Sequence, residues 1–380
     1  MTNLSIIVTK LAEFFISATI IIFRLRFKMV YRKILTSIVL VIVFSSCFSQ
    51  TGGLTTYSFL NLPVPARTAA LAGNTIGLKD DDINLVAQNP ASLNEGMSNQ
   101  LSLSYINYIT DINYLYATYA HSFDSIGHFA ASIQNVGYGK FKETDEYGAE
   151  IGTFRANDYN FALSYAYDMD SMFTWGISVK TIFSKYYTYS SLGNALDAGL
   201  TYRNKKKQFV ASIVLNNFGY QWRTYSGAGK EKLPAYFNIG ISKKVAKAPF
   251  RLLLSYENMN KWDLTYSDPN NPEPTVDPFT KEPIKKSKFR TGGDRFLRHM
   301  VVGTEIILTK NFNLRVGYNY RRRKEMVLPD KGGLVGFSLG LGFKISKFQF
   351  SYAFSKYHAG GNVNHFTVTT NLGSFMKQSK

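Results

Sequence analysis

The sequence predicts an all-β fold: a transmembrane outer-membrane β-barrel of about 14 antiparallel strands, preceded by a mostly helical N-terminal plug segment. Three observations lead there. Tyr and Phe are abundant (25 and 29 of 380 residues), while charged residues make up only 18%, against about 25% in an ordinary soluble chain. From residue 99 onward apolar residues alternate with small or polar ones. The connections between the alternating segments are by turns short and long.

The alternation is clearest in three segments. Tyr159, Phe161, Leu163, Tyr165 and Tyr167 oppose Asn160, Ala162, Ser164 and Ala166. Phe173, Trp175, Ile177 and Val179 oppose Thr174, Gly176, Ser178 and Lys180. Val335, Phe337, Leu339, Leu341 and Phe343 oppose Gly336, Ser338, Gly340 and Gly342. Successive strand side chains point to opposite faces, so each segment has one apolar face without a charge. A lipid-facing wall needs that, since Arg or Lys at mid-bilayer would cost about 2–4 kcal/mol. Gly336, Gly340 and Gly342 are expected to let bulky contents approach the wall. Gly332-Gly333 before Gly336 is not a phosphate loop, because a strand follows instead of a helix.

A soluble sandwich would alternate too, and the connections decide between the two. Strands are expected near 99–109, 113–123, 128–137, 155–167, 172–186, 194–203, 208–217, 234–243, 250–257, 299–309, 312–320, 334–345, 348–357 and 364–373. Every second connection is short, from Asp124–Gly127 through Asp168–Ser171, Asn204–Lys207, Lys244–Pro249 and Lys310–Asn311 to Ser346–Lys347. The others include the long stretches 138–154, 218–233, 258–298 and 321–333, with Thr110–Ile112 as the exception. Short periplasmic turns alternating with long external loops are the habit of outer-membrane barrels. The expected barrel covers 99–375.

The first fifty residues read as export sequence. Arg32 and Lys33 precede the apolar run Ile34–Phe44, which is too short to span a bilayer but suits a secretory signal. Residues 29–49 are expected to be the signal peptide, cleaved after Ser49, with Met29 the true start and 1–28 a mis-annotated leader. The alternative is a lipoprotein acylated at Cys47, the sole cysteine; Phe44 stands where a lipobox normally has Leu. Without a cysteine in the mature chain, no disulfide or thiol chemistry is expected.

Residues 50–98 form the expected plug, which fits inside the lumen. Asp82 can cap a short helix running to Gln88, and Pro90 after Asn89 stops it. Asp80-Asp81-Asp82 lacks the one-apart spacing of a calcium loop, so capping and solvation are the expected roles. No cofactor or metal is expected. His121, His128, His299, His358 and His365 are scattered without ligand spacing, and no nucleophile arrangement is visible, so no enzyme is expected.

The formal charge is +18, and beyond residue 50 there remain 38 bases and 25 acids. These bases lie mostly in turns and loops, which points to an anionic membrane surface or acidic partner and away from nucleic acid. The connection 258–298 is external by strand parity and holds Pro269, Pro272, Pro274, Pro278 and Pro283, which suggests an extended, semi-rigid loop. Trp262, Tyr266, Phe279 and Phe289 offer aromatic anchors, and Lys285, Lys286, Lys288 and Arg290 offer charge. With Arg321, Arg322 and Arg323 of the next external loop, these are the expected partner-binding residues, and lipopolysaccharide phosphates are the alternative target.

Phe59-Leu60-Asn61-Leu62-Pro63-Val64-Pro65-Ala66-Arg67, then Ala69–Gly73, Asp81-Asp82 and Asn89-Pro90-Ala91-Ser92-Leu93, resemble the PorV/PorQ family, the opening being most like its PorQ branch. The Asn-Pro-Ala element is more distantly similar to FadL-type fatty-acid transporters, which are 14-stranded barrels with an N-terminal hatch. The motif match covers about 59–93, with Arg67, Gly73, Asp81, Asp82, Asn89, Pro90 and Ala91 as its plug residues. The resemblance implies a component of the type IX secretion attachment complex of Bacteroidetes. Such a component would hold a PorZ-like surface partner near PorU and PorV, with no chemistry of its own. A FadL-like channel for hydrophobic molecules is the alternative, and inward Asn, Ser, Gly and Lys argue mildly against its greasy route.

Overall fold

The computed structural model describes residues 55–108, 110–227, 229–265, 288–327, 333–358 and 361–375. Among them, antiparallel strands run in sequence order: β1 (Gln100–Asn107), β2 (Asn113–Phe123), β3 (Gly127–Thr144), β4 (Glu150–Asp168), β5 (Phe173–Tyr186), β6 (Tyr189–Asn204) and β7 (Phe209–Arg223). They continue as β8 (Tyr236–Lys244), β9 (Phe250–Tyr256), β10 (Met300–Ile307), β11 (Phe312–Asn319), β12 (Phe337–Ile345), β13 (Phe348–His358) and β14 (Gly361–Asn371). The sheet closes on itself where β1 pairs with β14, from Gln100 opposite Asn371 to Asn107 opposite Asn364.

The two faces of this wall are inverted relative to a soluble barrel. Its buried, inward positions are polar: Ser102 and Ser104 in β1, Ser164 in β4, Ser178 in β5, Thr201 in β6, Ser212 in β7 and Thr367 in β14. Its outward positions are apolar and exposed: Leu103, Leu115, Ile133, Leu163, Val179, Leu200, Ile213, Leu252, Val302, Leu339 and Phe366. A soluble protein buries its apolar face, because removing that area from water drives folding. Here the apolar face is satisfied only by lipid, and closure pairs every strand edge, as a bilayer demands. The chain is a transmembrane β-barrel of the outer membrane. By the usual topology its short-turn end is periplasmic and the other external.

Several connections differ from expectation. The stretch 138–154 is mostly strand: β3 and β4 pair out to Thr144 and Glu150, well beyond the roughly 9–11 residues that cross a membrane. Their hairpin therefore stands clear of the bilayer, its tip closed by the Asp145 carboxylate, which accepts from Tyr147 and Ala149 amides. β7 likewise extends into 218–233, and β6 begins earlier than 194. β12 starts at Phe337, so Val335 is fully buried instead of lipid-facing. Gly336 has φ 90 and lies against Asn319 and Arg323 in the external loop, so it does not seat the plug. The connections 258–298 and 321–333 carry helices, α2 (Lys288–Arg298) and α3 (Tyr320–Met326), after the plug's own α1 (Ala66–Ala70). Tyr266, Phe279, Lys285, Lys286 and the five prolines lie outside the described residues.

Candidate functional site: the lumenal plug

The plug runs down the lumen from the external to the periplasmic end. Thr55 bridges Lys232 of the β7–β8 connection, and the Tyr57 hydroxyl meets Ser191 near the external end of β6. Below them α1 lies against β11 to β14, with the Ala66 amide donating to Thr367 at 2.9 Å. Its alanines are small because the wall is close: a Cβ at Gly340 would lie 2.4 Å from Ala70, and one at Gly317 2.3 Å from the Ala72 amide. α1 ends through Ala72 and Gly73, both at positive φ, and the Gly73 amide returns to the Thr68 carbonyl.

The remainder is a string of single 3-10 turns, less helical than the sequence suggests. Each begins on an Asx side chain: Asp82 accepts from Asn84, Asn89 from Ala91 and Asn94 from Gly96. Pro90 thus both ends one turn and opens the next. Asn89 also donates to the Ile76 carbonyl and to Thr201 of β6, and Gly176 and Gly199 of the wall admit Pro90, Ala91 and Asn89 at van der Waals limits.

At the periplasmic end three arginines and three acids form one charge-balanced cluster, in which Arg67, Asp82, Glu305 and Arg315 are buried and Asp80 and Arg251 half-buried. Arg67 uses all five of its donors. Nε and Nη2 reach Glu305 of β10 at 2.8 and 2.9 Å, Nη1 and Nη2 reach Asp80 at 2.8 Å, and Nη1 reaches Asp82 at 3.1 Å. Arg251 of β9 bridges Asp80 (2.7 Å) and Glu305 (2.9 Å), and Arg315 of β11 donates to Glu305 at 3.2 Å. Burial alone would push the Asp80 carboxyl up, yet the adjacent Arg67 and Arg251 guanidiniums hold it well below the usual carboxylate range. Asp80 is therefore an ion-pair partner that keeps part of its surface in solvent, whereas Asp81 is exposed at the mouth. Among the described residues no group of His, Cys, Asp or Glu is placed to hold a metal.

A second lumenal pair, Lys180 to Asp197 at 2.6 Å, sits where β6 and β7 slip register. Asn217, at φ 55, takes up the slip; its amide donates to Asp197 and its side chain meets Lys180 and Asn61 of the plug. Beside this pair lies a cavity of about 40 Å³, with Leu60, Leu62, Val64 and Val86 of the plug on one side and Gln134, Asn160 and Lys180 of the wall on the other. Gln134 Nε2 and Asn160 Oδ1 have no protein partner there, so water fits this space, which takes roughly 10–15 Å³ per molecule.

At the external end α2 and α3 are tied together: Asp294 accepts from Arg298 and Tyr320 at 2.8 Å each, and Arg295 pairs with Asp263 at 2.7 Å. His299 is fully buried, stacked on Tyr256, with its ring nitrogens facing the Glu257 and Trp262 carbonyls. Of the expected partner-binding residues, Trp262 is half exposed, Phe289 is 91% exposed and Arg290 is exposed. Arg322 turns inward instead, toward the Ala72 carbonyl of the plug, Arg323 folds back on the Gly333 and Val335 carbonyls of its own loop, and Arg321 pairs with Glu325. The helix in which they sit aims them there, a placement the loop reading missed.

Sequence reasoning located Arg67, Asp82, Asn89, Pro90 and Ala91 in the plug but missed their wall partners Arg251, Glu305 and Arg315. The signal was present. Each is a charge set among alternating strand residues on the small, polar face.

No protein-family profile matches the chain, and no curated protein does. Solved barrels do. The Pseudomonas putida toluene transporter TodX aligns at 11% identity and TM-score 0.49, covering 82% of this chain and 99% of that one. The CymD monoaromatic hydrocarbon channel aligns at 14% and 0.45, covering 82% and 96%. A Pseudomonas aeruginosa FadL homologue aligns at 11% and 0.46, covering 81% and 98%. Likenesses this distant say nothing about what passes through or binds to this chain. Its class rests on its own geometry: an outer-membrane barrel with an N-terminal segment bound in the lumen.

Proposed function

We propose that this barrel is a sealed outer-membrane anchor that holds a protein partner at the cell surface. The reading follows the resemblance to the PorV/PorQ family: a component of the type IX secretion attachment complex, with a PorZ-like partner near PorU and PorV. The observation that supports it is how the plug is seated. The residues carrying the resemblance, Arg67, Asp82, Asn89, Pro90 and Ala91, make the ion pairs, caps and close contacts that fasten the plug to the wall. A plug fastened by a largely buried, balanced ion cluster occupies the lumen and leaves the external surface as the place of work. There Trp262, Phe289 and Arg290 stand exposed beside the connection that also carries Tyr266, Phe279, Lys285, Lys286 and Lys288. The test replaces 265–292 with a brief Gly/Ser turn in a barrel that still assembles. Retention of surface protein should fall; retention equal to the parent's would remove this loop from the docking role.

A second reading, a FadL-like channel for hydrophobic small molecules, draws on the cavity's apolar side, where a shift of Leu60, Leu62 and Val86 would widen a path. Deleting the gene separates the two readings. An anchor's loss releases surface cargo, whereas a channel's loss slows fatty-acid or hydrocarbon uptake.

A further inference from the structure

The turns at the periplasmic end divide into two arcs of opposite charge. The β6–β7 turn carries Lys205, Lys206 and Lys207, with Arg203 at the end of β6, and the β8–β9 turn carries Lys247, with Lys243 and Lys244 at the end of β8. Lys310 follows in the β10–β11 turn, and Lys344 and Lys347 in the β12–β13 turn. No acid interrupts these four consecutive turns. The β2–β3 and β4–β5 turns and their strand ends hold Asp124, Asp168 and Asp170, of which Asp168 is paired with Lys79 of the plug and with His128.

We infer that the basic arc binds the phosphates of anionic phospholipid headgroups, such as phosphatidylglycerol, in the periplasmic leaflet. Placement argues for lipid over an acidic protein. In three of the four turns exposed apolar side chains flank a base: Val245 and Phe250 about Lys247, Leu308 and Phe312 about Lys310, Ile345 and Phe348 about Lys347. These stand where the strands leave the bilayer, at the level where long lysine side chains place their ammonium among headgroups, while Arg203, Lys205, Lys244 and Lys310 also line the lumenal mouth. A cluster of bases at that level is attracted to anionic lipid within about a Debye length. The acidic arc has the same apolar belt, in Phe123, Ile126, Met169 and Met172. Lipid therefore surrounds both arcs, and the headgroup charge distinguishes them.

The experiment reconstitutes the full chain in phosphatidylcholine bilayers with trace spin-labelled phosphatidylglycerol or phosphatidylcholine. The motionally restricted fraction gives the relative affinity of the first lipid shell. The expected result is a several-fold preference for phosphatidylglycerol. Raised salt should reduce it, and a variant with Lys205, Lys206, Lys207, Lys243, Lys247 and Lys310 each changed to Gln should lose it. Asp124→Asn with Asp170→Asn should leave the preference in place. Assembly is checked by the mobility of unboiled protein on a denaturing gel; if the six-fold variant does not assemble, the Lys205–Lys207 triple variant is measured. No preference in the parent, or one unchanged in the assembled variant, overturns the inference. So does tighter capture of a soluble polyglutamate peptide by the parent without any lipid preference, which would point to an acidic periplasmic partner.

Discussion

Arg67 shows what single residues contribute and what a sequence reveals of them. Its place in a plug motif was legible, as was the capping by Asp82, whereas the cap that Asn89 gives the next turn was not. Its partner Glu305 lies 238 positions away, and no local pattern links the two; only barrel closure does. What was readable is that Glu305, Arg315, Lys180 and Asp197 interrupt alternating strands on the inward face. Buried ions are costly to leave unpaired, and breaking one partner of such a cluster typically costs about 3–5 kcal/mol. Arg67→Met should therefore loosen the plug, raising hydrogen exchange over 66–97, while the wall remains assembled. Adding Asp80→Asn should restore part of the protection, since a neutral partner no longer needs the guanidinium and Arg251 and Arg315 keep Glu305. Equal exchange in parent and Arg67→Met would mean the cluster does not hold the plug.

At the scale of elements, strand existence was far more legible than strand ends. Alternation marks each strand, but β3 and β4 continue past the membrane, where both faces meet water and the pattern that marks a strand fades. Helix α2 was missed because its sequence, with Gly292 and Gly293 inside, has poor intrinsic helix propensity. It is held by tertiary ion pairs instead. Burial would raise the Asp294 carboxyl, but the Arg298 and Tyr320 hydrogen bonds keep it below its ordinary value. A depressed folded value means the stabilisation is present above the ordinary carboxylate range and is lost as pH falls through it. Protease resistance of 288–298 should thus be constant from neutral pH down to about 5 and decline below about 4. Asp294→Asn should weaken it at neutral pH by about 1 kcal/mol, as expected for a partly exposed pair. Resistance independent of both would show that α2 is held by other contacts.

At the scale of the whole molecule, the inversion of polarity makes the account coherent. An apolar exterior requires lipid, a polar lumen requires a polar filling, and the plug supplies it through serine, threonine and asparagine hydrogen bonds and one ion cluster. On the proposed reading the barrel works with this plug shut. Asn84 of the plug and Ser102 of β1 touch at 2.8 Å, and the sole natural cysteine, Cys47, lies in the expected signal peptide. Asn84→Cys with Ser102→Cys, bridged by oxidation or a short thiol cross-linker, locks plug to wall. The measurement is retention of secreted protein on cells carrying this variant, bridged and reduced. The account predicts equal retention in both states, matching the parent. Retention lost on bridging and recovered on reduction would show that the plug must move, contradicting the sealed anchor.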